Sequence, residues 1–101
     1  MVARLRAVAF FMKIAMSRGI QIISVIGGRE PTPAEQALAL EVGRELAVNN
    51  IIVACGGLGG VMEAACRGSK LSGGMTIGIL PGNDPSDANQ WVDIPICTGI
   101  G

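Results

Sequence analysis

Three apolar runs in this chain each end where the backbone must turn freely. That recurrence constrains the fold more than any other feature. Residues 20–26 (Ile-Gln-Ile-Ile-Ser-Val-Ile) lead into Gly27-Gly28. Residues 51–54 (Ile-Ile-Val-Ala) lead through Cys55 into Gly56-Gly57-Leu58-Gly59-Gly60. Residues 75–80 lead into Pro81-Gly82. The runs are rich in β-branched residues and nearly continuous in apolar character, as expected of strands buried on both faces.

Helical segments separate them. Thr32 can cap a helix, Pro33 suits its first position, and Glu35 completes a capping box. From there the pattern predicts a helix to about Val48, with Leu38, Val42 and Leu46 at four-residue spacing and Ala39 and Ala47 beside them. Glu41, Arg44 and Glu45 lie off that stripe and read as a solvated face. Asn49-Asn50 makes a turn. A second helix is expected from about Gly60 to Gly68, with Glu63 and Arg67 four apart and able to pair. Residues 83–93 are polar and turn-rich, and Ile94–Cys97 reads as a short fourth strand whose pairing Pro95 restricts. Apolar strands alternating with helices imply an α/β fold with a parallel, right-handed, Rossmann-like sheet of about four strands and two to three helices. In such a sheet all parallel strands end on one edge, so the three glycine-bearing segments gather where α/β folds bind ligands.

Residues 1–19 read as an N-terminal extension and residues 20–101 as part of one domain. Arg4, Arg6, Lys13 and Arg18 surround an apolar stretch without an acid, which also fits a core-packing helix or a targeting segment. Gly19 would end a helix here, and Met12 and Met16 are alternative starts. Eight basic and eight acidic residues balance, which argues against a general nucleic-acid or membrane-surface binder. The absence of His removes the commonest general base and metal ligand. Cys55, Cys66 and Cys97 form no Cys-x-x-Cys pair, so reduced thiols in a cytoplasmic protein are expected, with no metal site.

The glycine loop itself reads as strand, loop and helix start, where unpaired N–H groups and the helix dipole favour a phosphate and glycines let it approach. It is not the dinucleotide fingerprint, because the third glycine position falls on Met62. Nor is it a triphosphate loop: no Gly-Lys-Ser/Thr follows, and Lys70 lies well beyond. A mononucleotide or sugar phosphate fits better. The alternative is that the glycines only permit close strand–helix packing. Residues expected to line the site are Gly27, Gly28, Arg29, Gly56, Gly57, Leu58, Gly59, Gly60, Val61, Met62, Pro81 and Gly82. Arg29 has the planar fork that clamps phosphate, though a solvated loop arginine explains it equally. Glu63 is either a general base or a carboxylate placed favourably at a helix start; facing the loop, it would repel a phosphate. Asp84, Asp87 and Asp93 read as turn and capping residues. Trp91 could stack on a base or cover the sheet edge, and burial is the favoured reading.

The run from Gly56 to Ala65, with the preceding Val25-Ile26-Gly27-Gly28 and the following Gly78-Ile79-Leu80-Pro81-Gly82, resembles the LOG-like family, once labelled lysine decarboxylase-like. Its nearest branch looks like that of the molybdenum-cofactor carrier. The resemblance covers about residues 20–101. It implies a Rossmann-like sheet, a homo-oligomer, and a nucleotide or pterin-nucleotide phosphate on these loops, the ligand being a nucleoside monophosphate or the molybdenum cofactor. LOG phosphoribohydrolases carry a second motif, Pro-Gly-Gly-x-Gly-Thr-x-x-Glu, whose glutamate serves hydrolysis. Pro81-Gly82-Asn83-Asp84 does not continue as that motif, so the sheet is expected to be incomplete and the chain an N-terminal portion. The chain is therefore expected to bind a small phosphorylated ligand without a catalytic residue of its own, and to bind neither nucleic acid nor membrane. Nucleoside 5'-monophosphate phosphoribohydrolase activity, or a non-functional truncated member of the family, is the alternative.

Overall fold

The computed structural model describes residues 9–17 and 19–100. Five strands form one sheet in the order β1 (Ala9–Ser17), β2 (Ile20–Gly27), β3 (Ile51–Cys55), β4 (Thr76–Leu80) and β5 (Ile94–Cys97). The last four are parallel, with Ile22 beside Ile52, Ala54 beside Ile77, and Ile79 beside Ile96. This is the expected Rossmann-like sheet. β1 adds an antiparallel edge strand, pairing Phe10 with Ile26 and Ser17 with Ile20. Residues 9–17 are thus strand rather than the helix that was one alternative for this segment.

Helix α1 (Pro33–Val48) links β2 to β3, and α2 (Val61–Leu71) links β3 to β4. The start of α1 is closed as its sequence requires. The Glu35 N–H donates to Thr32 Oγ1 at 3.2 Å, and the Thr32 N–H donates to Glu35 Oε1 at 2.9 Å. Its buried stripe differs from the expectation. Ala39, Gly43 and Ala47 are buried, while Leu38 and Leu46 flank the core only partly covered. Small residues win this stripe because α2 comes too close for anything larger. α2 also continues through Gly68 to Leu71, three residues past the expected end, because Gly68 is an interior contact point and not a stop.

With strands added in sequence order, two right-handed crossovers place both helices on one face of the sheet. Val25, Val53 and Cys55 pack there with Ala39, Val61, Ala64, Ala65 and Cys66. Alternation along the strands turns Ile22, Ile52, Ile77 and Ile79 to the other face.

β4 is anchored at its start by a polar cluster. The Thr76 N–H donates to Asp93 Oδ2 at 3.0 Å, the Asp93 N–H donates to Thr76 Oγ1 at 2.8 Å, and that hydroxyl donates to the Trp91 carbonyl at 2.6 Å. Lys70 of α2 reaches Asp93 Oδ1 at 2.9 Å. Asp93 therefore ties β4, β5 and α2 together rather than shaping a turn. Partial desolvation opposes its ionisation, but Lys70 and the Thr76 N–H outweigh this and hold the carboxyl below the usual range. The unfolded chain then takes up the proton first. The cluster should stabilise the fold fully above about pH 5 and lose that contribution as pH falls through the depressed value. Urea midpoints should fall across this acid window in the wild type, and Asp93→Asn should flatten that part of the profile.

Candidate functional site

Gly27 ends β2, Cys55 ends β3 and Leu80 ends β4, so the three glycine-bearing segments leave the same edge of the sheet. Two of them touch. The Val61 N–H, first in α2, donates to the Gly28 carbonyl at 2.9 Å. Gly60 precedes it at φ 75° and ψ −134°, and a side chain there would strike the Gly28 carbonyl and the Arg29 backbone. Gly27, Gly28 and Arg29 are thereby held against the loop that precedes α2. Gly57, at φ 80°, is buried, and a Cβ on it would lie 2.8 Å from Leu80 Cδ2. Gly56 lies under the Met62 thioether. Pro81-Gly82 leaves the same edge, but the Gly82 carbonyl accepts the Gly99 N–H at 3.0 Å and its Cα faces Asp87. Val61 sits in the core at 2% exposure with its N–H already bonded, so it offers a ligand neither side chain nor donor.

A residue that the sequence did not single out orders this loop. The Asn89 N–H donates to the Gly57 carbonyl at 2.8 Å, and Asn89 Nδ2 donates to the Leu58 carbonyl at 2.8 Å. Asn89 Oδ1 in turn accepts the Trp91 N–H at 2.9 Å. The loop carbonyls are thus turned toward Asn89. The N–H groups of Leu58, Gly59, Gly60, Met62 and Glu63 have no acceptor among the described residues. An Asn in a turn-rich segment gives no local signal of a bond 31 residues away.

Beneath the loop, Cys55 Sγ and Cys66 Sγ are 3.3 Å apart, and the Gly57 N–H donates to Cys55 Sγ at 3.3 Å. Both are free thiols. The bond to Cys55 and burial together push the Cys66 thiol up. The same bond, aided by the Gly57 N–H, draws Cys55 down against its own burial. The pair anchors the loop's first turn.

Beside the loop, between the starts of α1 and α2, lies an open cleft of about 630 Å³ lined by Arg29, Glu30, Gln36, Gly60, Glu63 and Arg67, among others. Of the residues expected at the site, only Arg29 and Gly60 reach it. The cleft carries two arginines and two glutamates, so its formal charge cancels. A Cβ on Gly59 would lie 3.7 Å from Glu63 Oε1, so Glu63 leans over the loop. Arg67 does not pair with it, but stands 6.0 Å above the centre of the half-buried Trp91 ring, a cation–π contact. Among the described residues no group of acids and cysteines could hold a metal ion, and no helix is long and apolar enough to cross a membrane.

The model of the SLOG cluster4 family matches residues 20–101. An uncharacterized protein of Archaeoglobus fulgidus is 39% identical over 79 residues, which are 78% of this chain and 52% of that one. Among solved structures, the molybdenum cofactor binding protein from the phototrophic bacterium Rippkaea orientalis is 39% identical with a TM-score of 0.70, covering 73% of this chain and 46% of that one. The molybdenum cofactor carrier protein from Chlamydomonas reinhardtii is 38% identical with a TM-score of 0.68, covering 79% and 49%. The chain spans about half the length of the relatives it matches.

Proposed function

Because the chain belongs to the SLOG cluster4 family, we propose that its glycine loop holds the phosphate of a nucleotide or pterin-nucleotide cofactor, as a binding module without catalysis. Structural relatives named for molybdenum cofactor binding and carriage support the cofactor class. The observation that carries the reading is the set of free N–H groups at Leu58, Gly59, Gly60, Met62 and Glu63, left open at a helix start while Asn89 engages the loop carbonyls. A phosphate seated there meets donors and the positive end of α2. The glycine backbone leaves room for its oxygens.

Glu63 works against the anion. Two or three N–H bonds to a charged group are worth about 1.5–3 kcal/mol each, while a carboxylate about 4 Å from a phosphate costs on the order of 4 kcal/mol near a protein surface. The donors then prevail by a small margin, and binding is modest. Removing the Glu63 charge should therefore tighten it. Calorimetric titration with AMP and with molybdenum cofactor should show saturable binding, strengthened by about two to three orders of magnitude by Glu63→Gln as that repulsion is removed. No heat at millimolar ligand would sink the reading.

A second reading follows from the same carboxylate. Glu63 leans over the loop beside a cleft bearing Arg29 and Arg67, an acid–base group near a bound nucleotide, as nucleotide N-glycosidase chemistry requires. Release of free adenine from AMP, abolished by Glu63→Ala, would establish it in place of simple binding.

A further inference from the structure

The N–H groups of the glycine loop that are free among the described residues, from Leu58 to Glu63, lie between two thiols in contact. Cys55 ends β3, and Cys66 stands in the second turn of α2. Their Sγ atoms are 3.3 Å apart, and the two residues are 4% and 0% exposed. The Gly57 N–H also points at Cys55 Sγ at 3.3 Å, while the Asn89 N–H holds the Gly57 carbonyl from the other side. Cysteines that merely filled the core as small apolar residues would need neither donor. Cys97, the third cysteine of the chain, is exposed at the end of β5.

The pair is asymmetric. The bond from Cys66 favours a thiolate at Cys55, burial opposes it, and the Gly57 N–H adds to the favourable side. The same bond, with burial, keeps the proton on Cys66. Cys55 is therefore the better nucleophile. A disulfide holds its sulfurs about 2 Å apart, so each side chain has to move by roughly 0.6 Å, which small χ rotations supply without shifting β3 or α2. Burial shuts out a bulky disulfide donor. A peroxide is little larger than water, and residues 56–60 carry one side chain, that of Leu58, so a local opening of the loop admits it.

We propose that Cys55 and Cys66 form a reversible disulfide that staples the glycine loop in its ligand-ready shape. The Cys55 thiolate attacks one oxygen of hydrogen peroxide. The O–O bond breaks, the sulfur becomes a sulfenic acid, and the other oxygen leaves as hydroxide and takes up a proton. The Cys66 thiol then attacks the sulfenic sulfur, and its own proton leaves with the sulfenic hydroxyl as water. Two thiols are oxidised to one disulfide, and one peroxide is reduced to two waters. A small thiol reverses the bond by exchange. The closed ring spans residues 55–66 and holds four glycines, the residues that lose most freedom when a ligand orders them. Closing it lowers the ordering cost of binding. The resulting gain in affinity, which rests on the phosphate reading of the loop, is about tenfold, the ordering cost of one backbone residue.

Treatment of the Cys97→Ser variant with a slight excess of hydrogen peroxide tests the site, because the exposed thiol can then no longer join two chains. The tryptic peptide 45–67 carries both remaining cysteines. It is expected to be lighter by two hydrogens and closed to alkylation until a thiol reductant is added. The oxidised chain should unfold at a higher urea midpoint than the reduced one and bind AMP about tenfold more tightly. Cys66→Ala should leave a sulfenic acid on Cys55 that dimedone traps, and should remove the dependence of midpoint and affinity on peroxide. If Cys66→Ala does not fold, the peptide map and its reversal by thiol decide alone. Two free thiols after peroxide, or added oxygen without a bridge, would overturn the disulfide. A bridge that leaves AMP affinity unchanged would overturn the stapling. A bridge and a raised midpoint with AMP bound by neither form would overturn the phosphate reading and leave the disulfide site standing.

Discussion

Gly68→Ala is expected to cost about 3 kcal/mol of stability, although alanine is the better helix former by about 1 kcal/mol. The reason is the crossing of α1 and α2. A Cβ on Gly68 would land on the Leu40 carbonyl oxygen of α1, and a Cβ on Gly43 of α1 would land on the Ala65 carbonyl oxygen of α2. The two glycines are reciprocal, each the hole for the other helix's backbone. A backbone carbonyl cannot rotate aside as a long side chain can. The helices must separate instead, and Ala39 and Ala65, now at 1% and 0% exposure, lose their contacts. In a small domain, where total stability lies toward the low end of about 5–15 kcal/mol, this removes a large part of it. Chemical denaturation followed by circular dichroism measures the effect. Gly43→Ala should cost a similar amount, and the double variant clearly less than the sum, because the first substitution has already parted the helices. Gly28→Ala, with open space around its Cα, is the control and should leave the midpoint nearly unchanged. An unshifted midpoint for Gly68→Ala would mean that the helices do not cross at these glycines.

Gly60→Ala should abolish ligand binding more completely than it destabilises the fold. At φ 75° and ψ −134° the residue occupies a region that side chains rarely enter, and a Cβ would meet the Gly28 carbonyl and the Arg29 backbone. Relief of that clash moves the first turn of α2 away from β2 and breaks the Val61 N–H bond to Gly28. The free N–H groups on either side then lose their common aim. Affinity for AMP or molybdenum cofactor should fall by at least a hundredfold in titration, against a stability loss of about 2 kcal/mol. Equal affinity in the variant would show that the phosphate, if bound, lies elsewhere.

Much of this architecture is written locally. The capping box at Thr32 and Glu35 and the turn at Asn49-Asn50 bound α1 at the residues where its helix begins and ends. The β-branched runs mark β2, β3 and β4 to within a residue or two. The glycine loop lies between a strand and a helix, as its composition predicts. Lys70 and Asp93 illustrate what is not local. Each looks like an ordinary surface charge, and only the arrival of β5 beside β4 brings Asp93 within 2.9 Å of Lys70. Asn89 is the same kind of case, a turn residue until the fold brings it beneath Gly57 and Leu58.

The amino-acid sequence by itself therefore determined β2 to β5, the two helices, the parallel sense of those strands and the edge on which the glycine segments gather. Each of these follows from propensity, capping and the handedness of short connections. Only the tertiary structure decided that β1 pairs antiparallel to β2, that both helices share one face, and that Gly43 and Gly68 interlock. It also decided that Gly28 takes the first N–H of α2 while the donors around it stay free. These outcomes depend on atoms brought together from distant parts of the chain, where the gain of close packing and of satisfied carbonyls is set by approach distances that no local pattern encodes.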